Sequence, residues 1–253
     1  MKPLVIKISG HELNDDAFLR AFAQVLRAQT VPVVVVHGGG RDITTYQERL
    51  GITPRFVRGL RVTDAESLAV AEMVLCGLVN KRLVRYLLSA GLDALGVSGV
   101  DRALIRAAKL QADEDMMFTG DVTHVNAEPL MRWLAEGVTP VIAPICLADD
   151  TALNVNADAV AAAVALAIRA QRLVYLTNVE GVLDAQRRCV PQMTTQQAQA
   201  WIADGVISGG MIPKVEAALR SAQQGVATVI TNLQGLQTHG GTTIERIERE
   251  TNQ

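Results

Sequence analysis

Several strings in this 253-residue chain could do chemistry. VVVVHGGGRD (33–42) runs four β-branched residues straight into His37 and three glycines, Gly38 to Gly40. Glycines let backbone N–H groups approach an anion closely, and the N-terminus of a following helix adds favourable dipole charge. The string therefore reads as a cradle for a phosphate or a carboxylate, although a loose strand-to-helix turn would also use glycine. KISG (7–10) ends an apolar run with Lys7, Ser9 and Gly10. NVNAD (154–158) places Asn154, Asn156 and Asp158 just ahead of an alanine-rich run. A lone lysine between Ile6 and Ile8 is poorly explained as a solvated surface charge. Its ammonium is a compact point charge with three donors, which suits phosphate oxygens. Asp158 could equally serve as a helix N-cap, and Lys214 in SGGMIPKV (208–215) could equally be a surface lysine opening a helix.

Other chemistries are disfavoured. There is no G-x-x-x-x-G-K-[ST] and no G-x-G-x-x-G, which counts against P-loop and dinucleotide readings. HGGG also occurs in lipase oxyanion holes, but those need a G-x-S-x-G elbow. The nearest string, GVSGV (96–100), lacks the final glycine. Cys76, Cys146 and Cys189 are far apart and fit no metal spacing. An odd count without a disulfide framework suits a reducing cytoplasm. A net charge of −2 points away from a nucleic-acid surface. MKPLVIKISG is too short for a signal peptide, and AVAAAVALAI (159–168) is too short to span a bilayer and reads as a buried helix. A cytoplasmic protein without membrane or nucleic-acid partners is expected.

The elements that must position these groups follow from the apolar pattern. Apolar residues make up 49% and aromatic ones only 4%, so the core must be aliphatic and alanine-rich. Candidate strands are 3–9, 31–37, 139–145, 173–178 and 227–232, with helical patterns between them, notably 15–28 and 65–90. Strand–helix alternation with continuously apolar strands predicts an α/β fold: a mostly parallel central sheet with helices on both faces. GDVTHVN (120–126) reads as a small hairpin insertion. The pattern divides into two lobes, 1–168 and 169–253. In such sheets ligands bind beyond the carboxyl ends of strands. Lys7, Ser9, Gly10, His37 to Gly40, Asn178 and Gly181 all gather there, which suggests a phosphate-rich ligand.

KISG, HGGG, GLRVTD (59–64), NVNAD, LTNVEGVLD (176–184) and SGGMIPKV occur in this order. Together they resemble the amino acid kinase family over nearly the whole length, most closely its branch acting on N-acetyl-L-glutamate. The resemblance implies phosphoryl transfer from ATP to the side-chain carboxylate of that substrate, in the second step of arginine biosynthesis. It implies that Lys7 and Lys214 flank the transferred group and that Asp158 sits between them and orients them. It further implies that Gly39, Gly40, Arg61 and Asn154 line the acceptor site. Gly10, Asn178, Val179, Gly181, Val182, Leu183, Ser208, Gly209 and Gly210 would frame the nucleotide. The first lobe would then carry the amino-acid substrate and dimerisation, the second the nucleotide. Mg²⁺ is expected, held mainly by the ATP phosphates rather than by protein ligands.

The chain departs from the family's usual pattern at Ser9-Gly10-His11, where two glycines commonly follow the lysine, and at Asn178, where many relatives carry aspartate. His11 and His37 read as structural, because an ionised carboxylate acceptor needs no proton relay. Arg58 reads as an ordinary exposed charge. Two alternatives remain: a related kinase whose aminoadipate or glutamate is bound to a small acidic carrier protein, and a non-catalytic ATP or amino-acid sensor. A homodimer is expected. With only three residues before the first strand and no helix ahead of it, inhibition by arginine is not expected.

Overall fold

The computed structural model describes residues 1–8 and 10–245; Ser9 and the His11 side chain lie outside it. In chain order its strands are β1 Leu4–Ile8, β2 Val33–His37, β3 Arg55–Val57, β4 Leu60–Val62, β5 Ala94–Ser98, β6 Ile105–Lys109, β7 Thr119–Val125, β8 Thr139–Ala143, β9 Ile145–Ala148, β10 Thr151–Val155, β11 Arg172–Leu176, β12 Gln192–Thr194, β13 Thr228–Thr231 and β14 Thr242–Glu245. The α-helices are α1 Asp16–Arg27, α2 Gly40–Arg49, α3 Ala65–Glu72, α4 Asn80–Ser89, α5 Ala127–Ala135, α6 Ala157–Ala167, α7 Thr195–Ala203, α8 Ile212–Gln223 and α9 Leu233–Thr238.

Eight strands form one sheet in the order β12-β14-β13-β11-β1-β2-β8-β5. All its pairings are parallel except β13 with β14. This is the sheet that continuously apolar runs require, because such strands must be covered on both faces. The pleat then assigns every residue a side. Leu4, Ile6 and Ile8 pack with Val33 and Val35 in the cluster that holds the apolar faces of α1 and α4. Val5, Val34 and Val36 face the opposite way, into the cluster built on α6 and α8. Lys7 shares the side of Val5 and so meets α6. His37 shares the side of Val33 and Val35 and so meets the helices of the first cluster.

The structure extends the expected elements in three places. The run expected as one strand at 139–145 divides at Pro144. Its first half stays in the sheet as β8, and its continuation becomes β9. The expected hairpin at 120–126 is larger: β6 and β7 pair antiparallel and close with β9 and β10 into a four-stranded barrel. These strands are short and partly exposed, so their apolar signal is weak. The helix expected at 65–90 runs over 65–89 but winds as a π-helix through Met73–Val79. The sheet runs unbroken across residue 168, since β11 lies directly beside β1. Among the described residues no helix is long and apolar enough to cross a membrane.

Candidate active site

A cavity of about 230 Å³ opens at the carboxyl ends of β1 and β2. Lys7, Gly39, Gly40, Arg61, Asn154 and Asp158 all line it, so the structure brings together the acceptor-side residues and two of the three catalytic candidates. Lys7 is 9% exposed, and its ammonium lies 2.6 Å from Asp158 Oδ1. Asp158 does not cap α6. Asn156 does, its side chain accepting the Asp158 N–H at 2.7 Å. That frees the Asp158 carboxylate to meet Lys7 from the first helical turn.

Two helix N-termini face the cavity. One is that of α6. The other is that of α2, where Gly39 is the N-cap residue with φ 156° and no side-chain cap bond. The first N–H groups of a helix lack intrahelical acceptors, and the dipole end favours anions. A Cβ at Gly39 would also stand 2.6 Å from Leu75 Cδ2, so this position excludes side chains from behind as well as from the ligand side.

Arg61 is 8% exposed and firmly tied. Its Nη2 donates to the Gly40 carbonyl at 2.7 Å and to Thr44 Oγ1 at 2.8 Å, and its Nη1 donates to Gln47 Oε1. The exposed ring of Phe56, from the β3–β4 hairpin, stacks on the guanidinium at 4.7 Å. Burial lowers the Arg61 pKa, yet a guanidinium keeps its charge at neutral pH. Gln47 is fully buried, and its amide donates to Ser67 Oγ at 2.7 Å. The sequence reading missed it. Its one signal is that it stands one turn after Ile43, the buried apolar residue of α2. Thr63 was missed too: its hydroxyl accepts from Asn154 Nδ2 at 3.1 Å and joins Thr119, whose hydroxyl donates to the Arg61 carbonyl at 2.5 Å. Arg58, as expected, is an exposed charge, paired with exposed Asp113 at 2.7 Å.

The nucleotide-side candidates do not line this cavity. Asn178, Val179, Gly181, Val182 and Leu183 follow β11. The Val182 N–H is already spent on Thr242 Oγ1 at 2.8 Å, which docks this loop onto β14. Ser208, Gly209 and Gly210 precede α8, and Lys214 stands in its first turn. Gly10 opens a short 3₁₀ turn after β1.

The amino acid kinase family profile matches residues 2–232. The chain belongs to the amino acid kinase family. An acetylglutamate kinase of Roseiflexus sp. (strain RS-1) is 51% identical over 249 residues, covering 98% of this chain and 94% of that one. One from Methanopyrus kandleri (strain AV19) is 47% identical over 250 residues, covering 95% and 99%. Among solved structures, smu.665 from Streptococcus mutans UA159 superposes with a TM-score of 0.78 at 31% identity, covering 96% of this chain and 98% of that chain.

Two outcomes follow. Gln47→Leu removes one acceptor from a buried guanidinium, a hydrogen bond to charge worth roughly 1.5–3 kcal/mol. Steady-state kinetics should show the acceptor KM rising at least ~10-fold with the nucleotide KM little changed. The second concerns His37, which is fully buried. Burial lowers its pKa from 6.5 to about 4, partly opposed by its bond to the Gly38 carbonyl. Between those values the unfolded chain binds a proton that the folded chain does not, so stability falls as pH drops through this window. Urea titrations of wild type and His37→Gln across pH 4–7 should show a steeper loss in the wild type, by about 3 kcal/mol over the window.

Proposed function

We propose that the chain transfers the γ-phosphoryl group of ATP to the side-chain carboxylate of N-acetyl-L-glutamate, giving an acyl phosphate in arginine biosynthesis. The kinship with acetylglutamate kinases over nearly the full length supports this reading. The observation that carries it is the Lys7–Asp158 pair at the floor of a cavity lined by two helix N-termini and Arg61. The acceptor carboxylate is ionised at neutral pH and needs no base. One of its oxygens attacks the γ-phosphorus. That bond forms as the bond to the β,γ-bridging oxygen breaks, and ADP leaves. The difficulty is bringing anion to anion, so catalysis consists of positioning and of charge placed where the phosphoryl oxygens will be.

Lys7, oriented by Asp158, meets those oxygens from the β1 side, and Lys214 meets them from the first turn of α8. Gly39 and Gly40 offer N–H groups, Arg61 and Asn154 hold the acceptor, and Gly10, the 178–183 loop and Ser208 to Gly210 frame the nucleotide. Residues 1–168 then carry the acceptor and 169–253 the nucleotide. Among the described residues Asp158 is the one carboxylate lining the cavity, and it is engaged by Lys7. Among the described residues no cluster of three metal-ligating side chains exists. With Asp158 engaged by Lys7, Mg²⁺ is proposed to enter on the ATP phosphates. Of the three arginines at 55, 58 and 61 that a carrier protein could meet, Arg61 is buried and Arg58 is paired with Asp113, which leaves the exposed Arg55 as a thin basic rim and favours the free amino acid.

Purified protein with ATP and Mg²⁺ should give hydroxylamine-trapped acyl phosphate from N-acetylglutamate and far less from glutamate, whose ammonium would be buried unpaired. Lys7→Ala and Lys214→Ala should each remain folded and lose at least ~100-fold in turnover. Equal turnover of the two amino acids would sink the assignment. A homodimer is also proposed. β5 is the last strand of the sheet, and Met73, Leu95 and Val100 around it are 60%, 36% and 38% exposed. Light scattering should return twice the 27.1 kDa chain mass, and a monomer at micromolar concentration would rule this pairing out.

A further inference from the structure

The glycine loop is held from behind by groups that no step of the proposed chemistry uses. His37 is fully buried at the end of β2, and Asn80, at the start of α4, is 1% exposed. Asn80 Nδ2 lies 2.9 Å from the Val141 carbonyl oxygen, which can only accept. The side-chain amide is therefore turned with its NH₂ toward β8, and its oxygen accepts from Lys81 Nζ at 3.2 Å. The same NH₂ lies 3.1 Å from His37 Nε2, so that ring nitrogen must be the unprotonated acceptor. The ring proton is then on Nδ1, which donates to the Gly38 carbonyl at 2.8 Å.

This fixes more than the ring. The peptide joining Gly38 and Gly39 is a planar trans unit, so its C=O and N–H point in opposite directions. Holding the Gly38 oxygen against His37, on the core side, aims the Gly39 N–H outward, toward the cavity that Gly38 to Gly40 line. The loop is pinned at its other groups too. The Gly38 N–H donates to the Ile8 carbonyl at 2.8 Å, and the Gly40 carbonyl accepts from Arg61.

The π-helix delivers the far end of this support. The Asn80 N–H bonds to the Leu75 carbonyl, five residues back. Such a turn carries one residue more than an α-turn and rotates everything after it by about a quarter of a circle. Leu75 and Val79, on the same stretch, pack directly beneath Gly39. π-Turns are rare and frequent at functional sites.

We propose that Asn80 and His37 are positioning residues for phosphoryl transfer, their side-chain pair setting the Gly38–Gly39 peptide so that the Gly39 N–H is presented to the transferring group. This rests on the kinase reading above. The test uses full-length protein carrying ¹⁵N-histidine. Of four histidines, one should show a neutral ring protonated at Nδ1 at pH 7, absent in His37→Leu and shifted in tautomer by Asn80→Asp, which puts an acceptor in place of the donor. In kinetics, Asn80→Ala should lower kcat ~10- to 100-fold with nucleotide KM unchanged, the scale of disturbing one preorganised donor. His37→Asn keeps a donor at the Nδ1 position and should retain more kcat than His37→Leu. A His37 ring protonated at Nε2 in the wild type would overturn the proposal. So would wild-type kcat in Asn80→Ala, or equal kcat in the two His37 variants. Wild-type protein inactive on every acceptor would count against the kinase reading instead, and the tautomer would then decide the clamp alone.

Discussion

A lysine on an interior strand of an apolar sheet is the constraint from which the rest of the site follows. β1 lies between β11 and β2, and all five of its residues are buried. An ammonium placed there forgoes hydration worth several kcal/mol unless a counter-charge meets it. The Asp158 carboxylate does so at 2.6 Å, and that demands a helix whose first turn ends at the carboxyl edge of the sheet. α6 is that helix, and its alanine-rich interior face lets it lie close on the strands. Replacing such a buried pair with apolar groups is often neutral or stabilising. Its presence here is therefore poorly explained by folding stability alone.

The site as built carries surplus positive character. Lys7, Arg61 and two helix N-termini converge on a cavity to which the described residues bring one carboxylate. Anionic substrates complete this arrangement. The fold thus gathers groups that an anion would satisfy, and it secures the side chains among them by partners inside the protein. Arg61 is held by Gln47, Thr44 and a main-chain carbonyl, and Gln47 in turn by Ser67. Fixed dipoles of this kind need not reorganise as charge moves.

Backbone orientation is handled the same way. Glycine supplies the freedom for N–H groups to approach an anion, but freedom alone would leave the loop many conformations. Contacts from behind remove that freedom: the His37 ring on Gly38, the side chains of Leu75 and Val79 under Gly39, and Arg61 on Gly40. The helical stretch 65–89 is therefore support for the loop as well as a covering layer.

The sequence by itself determined the class of the fold and pointed to several of the residues that line the cavity. Five continuously apolar runs could be covered only in a layered sheet, and each lies within a residue or two of an observed strand or, at 139–145, of a pair of strands. Lys7 and the HGGG string were legible because a charge or a glycine triplet in an apolar setting has few uses, whereas Arg61 and NVNAD were read through the family resemblance. Tertiary structure alone decided the partners. Asp158 reads locally as a cap, and only the packing of α6 against β1 turns it toward Lys7. Gln47, Thr63 and Asn80 are polar residues of ordinary type whose meaning comes from burial against distant strands, which no local pattern encodes. The π-turn and the barrel were hidden for a related reason. Apolar periodicity reports which residues are covered, whereas one extra residue in a turn, or the closure of short half-exposed strands, depends on the shape of what covers them.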